Sequence, residues 1–407
     1  MELHPLLATL RRNKIATLLI VCQIAVTLAI VCNGLFIIQQ HLALSHRFTG
    51  TDEADLFAIQ NVWVGRPANL ASRLQTDLQA LRSLPGVVGA YATNSYPLAN
   101  AGSGAALSTR PDDELVLDRA AVYFADEHAI RTLGIKLLAG RNFTATEVTD
   151  LGGDDVPRPN VIIVTRTLAQ KLFPTGSALG QALYPAHRDN AMSIVGIVEK
   201  LQVPWTAAGG LGSTFNDNSI LFPFRLLDQE TDYVVRAEPG QLAAVMTAAR
   251  QALIAINRAR ILEKIQPFTA ARVEAYRDDR GLAVILGVVC LSLLVVTAFG
   301  IVGLTSYWVS QRRRQIGIRR ALGATRIDIM RLFHTENLLI ASVGILAGMA
   351  LAVALNLWMI SSLEMARLPP TYFIVGAVIV FLLGQLAVFW PAVRAAAVSP
   401  ALVARSA

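Results

Sequence analysis

The sequence contains little cysteine. Only three cysteines occur in 407 residues, and Cys22, Cys32 and Cys290 each lie inside a long apolar run. A thiol in such a run usually packs as a small hydrophobic side chain. The long polar segment between the first two apolar runs has no cysteine, which excludes disulfide bonds within it whatever compartment it occupies.

Several motifs for chemistry are also absent. The chain has no G-x-x-x-x-G-K-[ST] phosphate loop, no H-E-x-x-H zinc motif and no G-x-S-x-G nucleophile motif. The six histidines are scattered, so we predict no metal site, no catalytic residue and no cofactor bound by this chain. The cluster Asp126-Glu127-His128 is better explained as a solvated helix start than as a site. The sequence therefore predicts a protein that is not an enzyme by itself.

Charged residues are missing from four long stretches. We predict membrane spans at 15–39, 282–309, 337–363 and 371–393, since each can cross a hydrocarbon core of roughly 30 Å at about 1.5 Å per residue. A signal peptide is the alternative for the first stretch, but its apolar core would have only about 7–15 residues. The lack of a mid-membrane acid or base disfavours an ion-driven carrier.

The third predicted span contains a motif for close helix packing. Gly344 and Gly348 are separated by three residues, a spacing that lets two membrane helices approach each other closely. We therefore predict that these two glycines lie at a helix–helix contact.

The positive charge of the chain is concentrated beside the predicted spans. The formal net charge is +7, but the segments 1–14, 310–335 and 394–407 hold most of the excess, which excludes a nucleic-acid-binding surface. The outer loop 364–370 has a single basic residue, Arg367. Basic loops remain in the cytoplasm. We therefore predict a multi-pass protein of the bacterial cytoplasmic (inner) membrane with a cytoplasmic N-terminus (1–14) and tail (394–407).

The segment 40–278 is predicted to be a large extracytoplasmic α+β domain. Strand and helix patterns at its two ends indicate one lobe from about 50–125 and 223–275, with a second lobe from about 126–222. Gly209–Asn218 is Gly-rich and polar, which predicts a loop. The fold class is therefore an α-helical membrane protein with four transmembrane helices and a two-lobed α+β domain between helices 1 and 2.

The segment 310–335, which we call the basic segment, contains a patterned helix. Its first part, QRRRQIGIRRALGAT, has five arginines and no acid, and Gly323 is expected to end the helix. Thr325 then begins a second helix, with Asp328 at the capping position. Three apolar residues share one face of the first helix at i, i+3 and i+4: Ile318, Ala321 and Leu322.

Two interpretations of the basic segment remain open. Arginines beside a membrane span commonly lie on anionic lipid and determine topology. A short helix with an apolar stripe and a defined turn can instead dock into the groove of a cytoplasmic partner. The stripe and the two glycines at 317 and 323 are explained better by docking.

The basic segment and the tail resemble those of the MacB/FtsX-type ABC transporter permeases. The resemblance lies in RRRQIGIRRALGATRIDIMRLFHTENLLIASVGILAG and in the ending FWPAVRAAAVSPALVAR. Gln315 stands where the family usually has glutamate. The outer segment is similar to MacB-like ectodomains in the stretches TLGI, LAGRNF, LAQKLFPTGSALGQAL and SIVGIVEK. The resemblance covers essentially the whole chain.

This resemblance implies a permease that works with ATPase subunits. We expect a dimer, or a pair with a related permease, together with two copies of a separate ABC ATPase subunit that binds the ATP. Motion of the cytoplasmic ATPases would move the outer domains without a substrate path through the membrane. The family's ATPase-coupling helix corresponds here to Ile316, Gly317, Ile318, Arg319, Arg320, Ala321, Leu322, Gly323 and Ala324.

Three functions are compatible with the sequence. The first is efflux or extraction of an amphiphilic substrate, for which a periplasmic adaptor protein would be a further partner. The second is a regulatory permease that controls a sensor kinase or a cell-wall hydrolase. The third is a membrane-anchored binding module without an ATPase, which the patterned helix disfavours. The MacB-like outer segment favours efflux, and we expect contacts with membrane lipid but none with nucleic acid.

Overall fold

The computed structural model divides the chain into two compact units. It describes residues 14–65, 68–111, 118–185, 190–206, 217–363 and 367–397. One unit is Ser45–Asp279, which we call the polar domain, and the other comprises the residues before and after it, which we call the helical unit. The predicted N-terminal segment, most of the Gly-rich loop and most of the tail lie outside the described residues.

Four long apolar helices belong to the membrane-spanning part. They are α1 (Lys14–Ser45), α7 (Arg277–Gln311), α9 (Arg326–Leu363) and α10 (Pro370–Ala396), and each is long and apolar enough to cross a membrane. The polar domain lies between the first and second of them in sequence. The predicted fold class, four spans with an α+β domain between helices 1 and 2, is confirmed.

Each of these helices is longer than the apolar run that predicted it. α9 begins at Arg326, well before the predicted span start at 337, and α7 begins at Arg277 rather than at 282. The spans were predicted as stretches without charged residues, and such stretches end where the hydrocarbon core would end. Backbone hydrogen bonding does not end there, so the helices continue into polar surroundings.

The first sheet of the polar domain contains strands from both ends of the domain's sequence. Four antiparallel strands lie in the order β13 (Arg260–Pro267), β1 (Leu56–Trp63), β12 (Glu230–Ala237) and β2 (Val87–Thr93). Two helices, α2 (Leu70–Ser83) and α5 (Leu242–Ile256), pack on one face of it. Their contacts form an apolar core with Phe57, Ile59, Leu74, Leu78, Leu81, Tyr233, Val235, Val245, Ala249 and Leu253.

The second sheet has seven strands. They lie in the order β5 (Leu137–Gly140), β9 (Met192–Val198), β7 (Val161–Thr165), β10 (Ser219–Phe222), β4 (Asp118–Phe124), β3 (Ser103–Ser108) and β8 (Ala182–Pro185). β8 also pairs with β9, which closes six of these strands into a ring. The short helices α3 (Ala129–Leu133) and α4 (Arg166–Leu172) lie in this half of the chain, and β6 (Thr149–Gly152) pairs separately with β11 (Phe224–Leu227).

The predicted lobe boundary is wrong. We placed residues up to about 125 in the first lobe, but β3 and β4 belong to the second sheet. The reason is a parallel pairing of β4 with β10, in which Ala121 lies opposite Ser219 and Phe124 opposite Phe222. Such a pairing joins segments far apart in sequence, and local periodicity does not show it. The second lobe therefore begins near Ser103 rather than at 126.

The short helix α6 (Phe268–Ala275) ends the polar domain just before α7 begins. Arg272 on this helix pairs with Glu53 and donates a hydrogen bond from Nη1 to the carbonyl oxygen of Ser45 at 3.0 Å. Ser45 is the last residue of α1. The chain's entry into the polar domain is therefore hydrogen-bonded to its exit.

Candidate docking segment

The basic segment forms a short helix, a tight turn and the start of α9. The helix α8 spans Arg313–Ala321. The single residue Arg312 separates it from the end of α7. Gly323 has φ +102°, a backbone conformation that favours glycine, and its amide donates to the carbonyl oxygen of Arg320 at 3.2 Å. The helix ends at Ala321 and the turn covers Leu322 and Gly323, so Gly323 follows the helix directly as its predicted stop.

The start of α9 is capped by its own side chains. The amide of Thr325 donates to Asp328 Oδ2 at 2.9 Å, and the amide of Asp328 donates to Thr325 Oγ1 at 3.2 Å. This reciprocal pair is the capping box that the sequence predicted. It fixes the direction in which α9 leaves the turn.

One side of α8 is held by the rest of the helical unit. Arg312 donates from Nη1 to both carboxylate oxygens of Glu336 on α9, at 2.8 and 3.0 Å. Ile316 is only 3% exposed and belongs to the apolar core of the helical unit, beside a buried Gly317. Arg320 donates from Nη1 to the carbonyl oxygen of Ala396, the last residue of α10, at 3.0 Å.

Apolar side chains are exposed on the other side of α8. Leu322 is 83% exposed and Ile318 is 47% exposed, and Ala321 is exposed as well. These are the three residues of the predicted stripe. Ile316 and Gly317, in contrast, are turned inward and are not available to a partner in this structure.

Three arginines of the basic segment stay on the surface. Arg313, Arg314 and Arg319 are exposed, and none forms an ion pair within the described part of the chain. The arginines at 312 and 320 differ from these three, since both are partly buried and hydrogen-bonded to other helices. The arginines of the basic segment thus form two groups, one hydrogen-bonded to other helices and one exposed on the surface.

Gly344 and Gly348 face the first helix. A Cβ atom built on Gly348 would lie 2.9 Å from the Cβ of Leu28 and 3.0 Å from the Cα of Ala25. A Cβ atom on Gly344 would lie 2.7 Å from the side chain of Ile24. These distances are shorter than ordinary contacts between carbon atoms, so α9 approaches α1 at a separation that only glycine allows.

Sequence reasoning missed the Arg312–Glu336 pair. Glu336 and Asp328 are the only acids between residues 280 and 363, and Glu336 lies just before the predicted third span. A lone acid at the start of an apolar run, with arginines nearby in sequence, was the signal that could have indicated the pair. Its side chain is 4% exposed, which an unpaired carboxylate would not tolerate.

The cluster around Asp126 is a structural feature but is not solvated. Asp126 is 2% exposed and pairs with Arg82 at 2.6 Å, and its Oδ1 accepts a hydrogen bond from the amide of His128. Burial raises the pKa of the Asp126 carboxyl, and Arg82 opposes that shift. The cluster does precede the start of α3 at Ala129, as predicted, but the prediction that it is solvated is wrong for Asp126, which is buried in the β4–α3 connection.

Two family models match the chain in two successive regions. The MacB-like periplasmic core domain model matches residues 17–253, and the FtsX-like permease C-terminal model matches residues 287–400. The chain belongs to the MacB/FtsX-type family of ABC transporter permeases. The resemblance expected from the basic segment and the outer stretches is thereby confirmed, and the polar domain is the family's periplasmic domain.

Curated relatives of this permease chain are larger proteins. It is 26% identical over 291 residues to the macrolide export ATP-binding/permease protein MacB of Chromobacterium violaceum, covering 66% of this chain and 41% of that protein. It is 27% identical over 249 residues to the pyoverdine export ATP-binding/permease protein PvdT of Pseudomonas syringae pv. tomato, covering 59% and 37%. The chain thus spans about two fifths of the length of these relatives.

The permease chain is also similar to a solved periplasmic region. The crystal structure of the periplasmic region of MacB from Actinobacillus actinomycetemcomitans matches with a TM-score of 0.34 and 12% sequence identity. The match covers 55% of this chain and 94% of that one. The family assignment rests on the two family models and not on this similarity.

Proposed function

We propose that the chain is the permease subunit of an ABC transporter complex that moves an amphiphilic substrate by efflux or extraction. A separate ATPase subunit, two copies per complex, supplies the energy. The complex contains a second copy of this chain or a related permease, and a periplasmic adaptor is a further partner. ATP hydrolysis moves the polar domains, and no substrate passes between the spans.

The observation that carries this proposal is the division of α8 into two sides. Its inner side is fixed by Ile316 and by hydrogen bonds to α9 and α10, while Leu322 and Ile318 are exposed on the outer side. A helix that served only to place charge on lipid would need no such anchoring. A rigidly held helix with an exposed apolar stripe has the properties of a docking element.

The energy source follows from the composition of the spans. The predicted spans contain no aspartate, glutamate, lysine or arginine. Proton- and ion-driven carriers use such groups inside the membrane, where they are retained for function despite their cost. A partner that hydrolyses ATP supplies the energy instead. We expect the purified chain to neither bind nor hydrolyse ATP by itself, which a nucleotide-binding assay on partner-free protein measures.

The names of the two relatives support export rather than regulation. Both are named as export proteins with ATP-binding and permease functions. A regulatory permease that controls a sensor kinase or a hydrolase would have the same spans and basic segment. The names of the relatives therefore support export, while the amphiphilic substrate class comes from the family resemblance.

The proposed orientation places the basic segment in the cytoplasm, with both termini. Basic residues cluster on the side of the membrane that would carry α8, as the positive-inside rule requires. A reporter inserted at Gly240 tests this, because that glycine lies in an exposed turn where a Cβ atom would meet nothing within 4 Å. A second reporter follows Ala407. The two reporters should indicate opposite sides, and the same side for both would contradict the orientation.

A pull-down of a separate ABC ATPase subunit, co-expressed with this chain, tests the proposed function. Burial of one leucine contributes roughly 1.5–3 kcal/mol, so placing a charge at this site should weaken binding about tenfold or more. We expect Leu322→Asp to insert normally but to lose the ATPase in detergent. The control is Arg313→Gln, which removes one exposed charge and should retain the ATPase. Normal recovery with Leu322→Asp would show that the stripe is not the contact.

A further inference from the structure

The arginines of the basic segment differ in what they contact. Arg312, Ile316 and Arg320 are spaced by four residues, which places them along one side of the helix. All three are directed toward the helical unit, whereas Arg313 and Arg314 are exposed. The inner side of α8 therefore carries a cation at each end and an apolar residue between them.

The first anchor joins α8 to α9. The Glu336 carboxylate is 4% exposed and accepts both of its recorded hydrogen bonds from Arg312, whose side chain is 18% exposed. A buried carboxylate without a cation is strongly destabilising. The start of α8 is thus held at a fixed position on α9 by a contact whose loss has a large cost.

The second anchor joins α8 to α10. Arg320 lies near the end of α8 and donates to the carbonyl oxygen of Ala396 at 3.0 Å. The terminal carbonyl groups of a helix lack partners within the helix and carry partial negative charge. A guanidinium at this position satisfies one of them and is favoured by the helix dipole. The two anchors reach two different membrane-spanning helices.

We propose that Arg312 and Arg320 are positioning residues that clamp α8 to α9 and α10, so that force applied at Leu322 reaches both spans. This role rests on the proposed function, since it needs a partner seated on Leu322. Without the clamp, the partner would still bind the exposed stripe, but its motion would tilt α8 instead of moving the spans. Docking and transmission are therefore carried by opposite sides of one short helix.

A distance measurement between two spin labels tests the clamp without any partner. The labels are placed at Gln315→Cys on α8 and at Ser342→Cys on α9, both exposed positions, in the full chain with its three native cysteines replaced by alanine. We expect one narrow distance distribution for the labelled chain with Arg312 and Arg320 intact, and for the same chain with the control substitution Arg314→Gln. Arg312→Lys, which keeps the charge, should also remain narrow.

Removal of an anchor should abolish the narrow distribution. We expect Arg320→Gln to broaden it, and Arg312→Gln to broaden it further. Because Arg312→Gln leaves a buried charge and can impair folding, the double variant Arg312→Gln/Glu336→Gln removes both charges and should restore abundance while the distribution stays broad. A distribution as narrow as that of the unmodified clamp in the folded double variant and in Arg320→Gln would overturn the proposal.

A second readout links the clamp to transport. In a complex with a co-expressed ABC ATPase subunit, Arg320→Gln should retain the ATPase in a pull-down while the amount of a macrolide probe exported per ATP hydrolysed falls. A fall in ATPase recovery with unchanged export per ATP would contradict transmission. If wild-type protein fails to bind any ATPase, the proposed function fails, but the spin-label result still decides whether the clamp exists.

Discussion

An arginine–carboxylate pair in the polar domain differs from the pair in the helical unit in how far it is buried. In the polar domain, the side chains of Arg260 and Asp77 are both 0% exposed and form two hydrogen bonds at 2.8 and 2.9 Å. Tyr233 donates to the same carboxylate at 2.7 Å, and the guanidinium lies 4.2 Å from the centre of the Trp63 ring. In the helical unit, Arg312 remains 18% exposed at the end of a short helix.

The two units also differ in how far their large apolar side chains are exposed. Most of the polar domain's largest buried side chains are aromatic, among them Tyr91, Tyr233 and Phe268. The helical unit leaves Phe299 and Leu386 each 72% exposed. The polar domain therefore satisfies its own groups, whereas the helical unit depends on lipid around its spans and, by our proposal, on a protein partner at α8. The Arg260 pair lies inside one folded domain, while the Arg312 pair joins the segment between two helices to α9.

The largest expected effect is in the polar domain. We expect a fragment of residues 42–276 to unfold cooperatively without disulfide bonds. Asp77→Ala would leave Arg260 buried without its partner, which costs about 3–5 kcal/mol. For a domain of this size, the melting temperature should fall on the order of 10 °C. Calorimetry or circular dichroism of the fragment measures this change.

The control for this prediction is an exposed pair in the same domain. Lys264 and Glu274 form an ion pair with side chains 42% and 53% exposed. Pairs of this kind contribute about 0–1 kcal/mol, so Glu274→Gln should shift the melting temperature little. Equal shifts of the melting temperature for Asp77→Ala and Glu274→Gln would contradict the prediction that the buried pair stabilises the domain more than the exposed pair.

A smaller effect is expected where two spans touch. Gly348→Val would force a side chain against the Leu28 Cβ and the backbone of Ala25, and overpacking of this kind costs about 1–3 kcal/mol. The matched control is Gly303→Val on α7, where a Cβ atom would meet nothing within 4 Å. Thermal stability in detergent should fall for the first variant only. A similar loss for both would mean that the α1–α9 contact is not specific.

The pH dependence of the polar domain's stability should include the titration of a half-buried acid, Asp232. Asp232 lies on β12 opposite Thr93 and Gln60, and burial, with a contribution from Glu230, raises its pKa to about 7. The folded state therefore favours the protonated acid. Its contribution to stability is full below the pKa of the unfolded chain and is lost as the pH rises through about 7.

Replacement of that acid by its amide should remove the dependence. We expect the melting temperature of the fragment to fall from about pH 5 to about pH 8, and to fall less in Asp232→Asn. The measurement is a series of thermal melts across this range for both proteins. An unchanged slope in Asp232→Asn would assign the pH dependence to other groups.

Local patterns in the sequence predicted the elements of the polar domain better than their arrangement. The sequence predicts a helix over 70–84, ended by Pro85 and Gly86, and a strand over 87–93, and the structure has them at Leu70–Ser83 and Val87–Thr93. β3 and β4 were assigned to the wrong lobe because their partners, β8 and β10, lie far away in sequence. Pairing over such separations is decided by the assembled core.

The same limit applies to the basic segment. The stripe of Ile318, Ala321 and Leu322 could be read from spacing, and so could the turn at Gly323. The opposite side could not, because it combines Ile316 with two arginines, a pattern that resembles a solvated surface. Its inward direction depends on Glu336 of α9 and on the end of α10. Those partners are set by the packing of the spans.

The central claim is that the outer side of α8 is covered by an ATPase rather than by lipid. The most direct measurement is photo-crosslinking in cells that co-express an ABC ATPase subunit, with the photoreactive residue at position 322. Phe299, an exposed residue of the second span, is the control position. We predict an adduct with the ATPase from position 322 and none from position 299. Lipid adducts alone from position 322 would contradict the account.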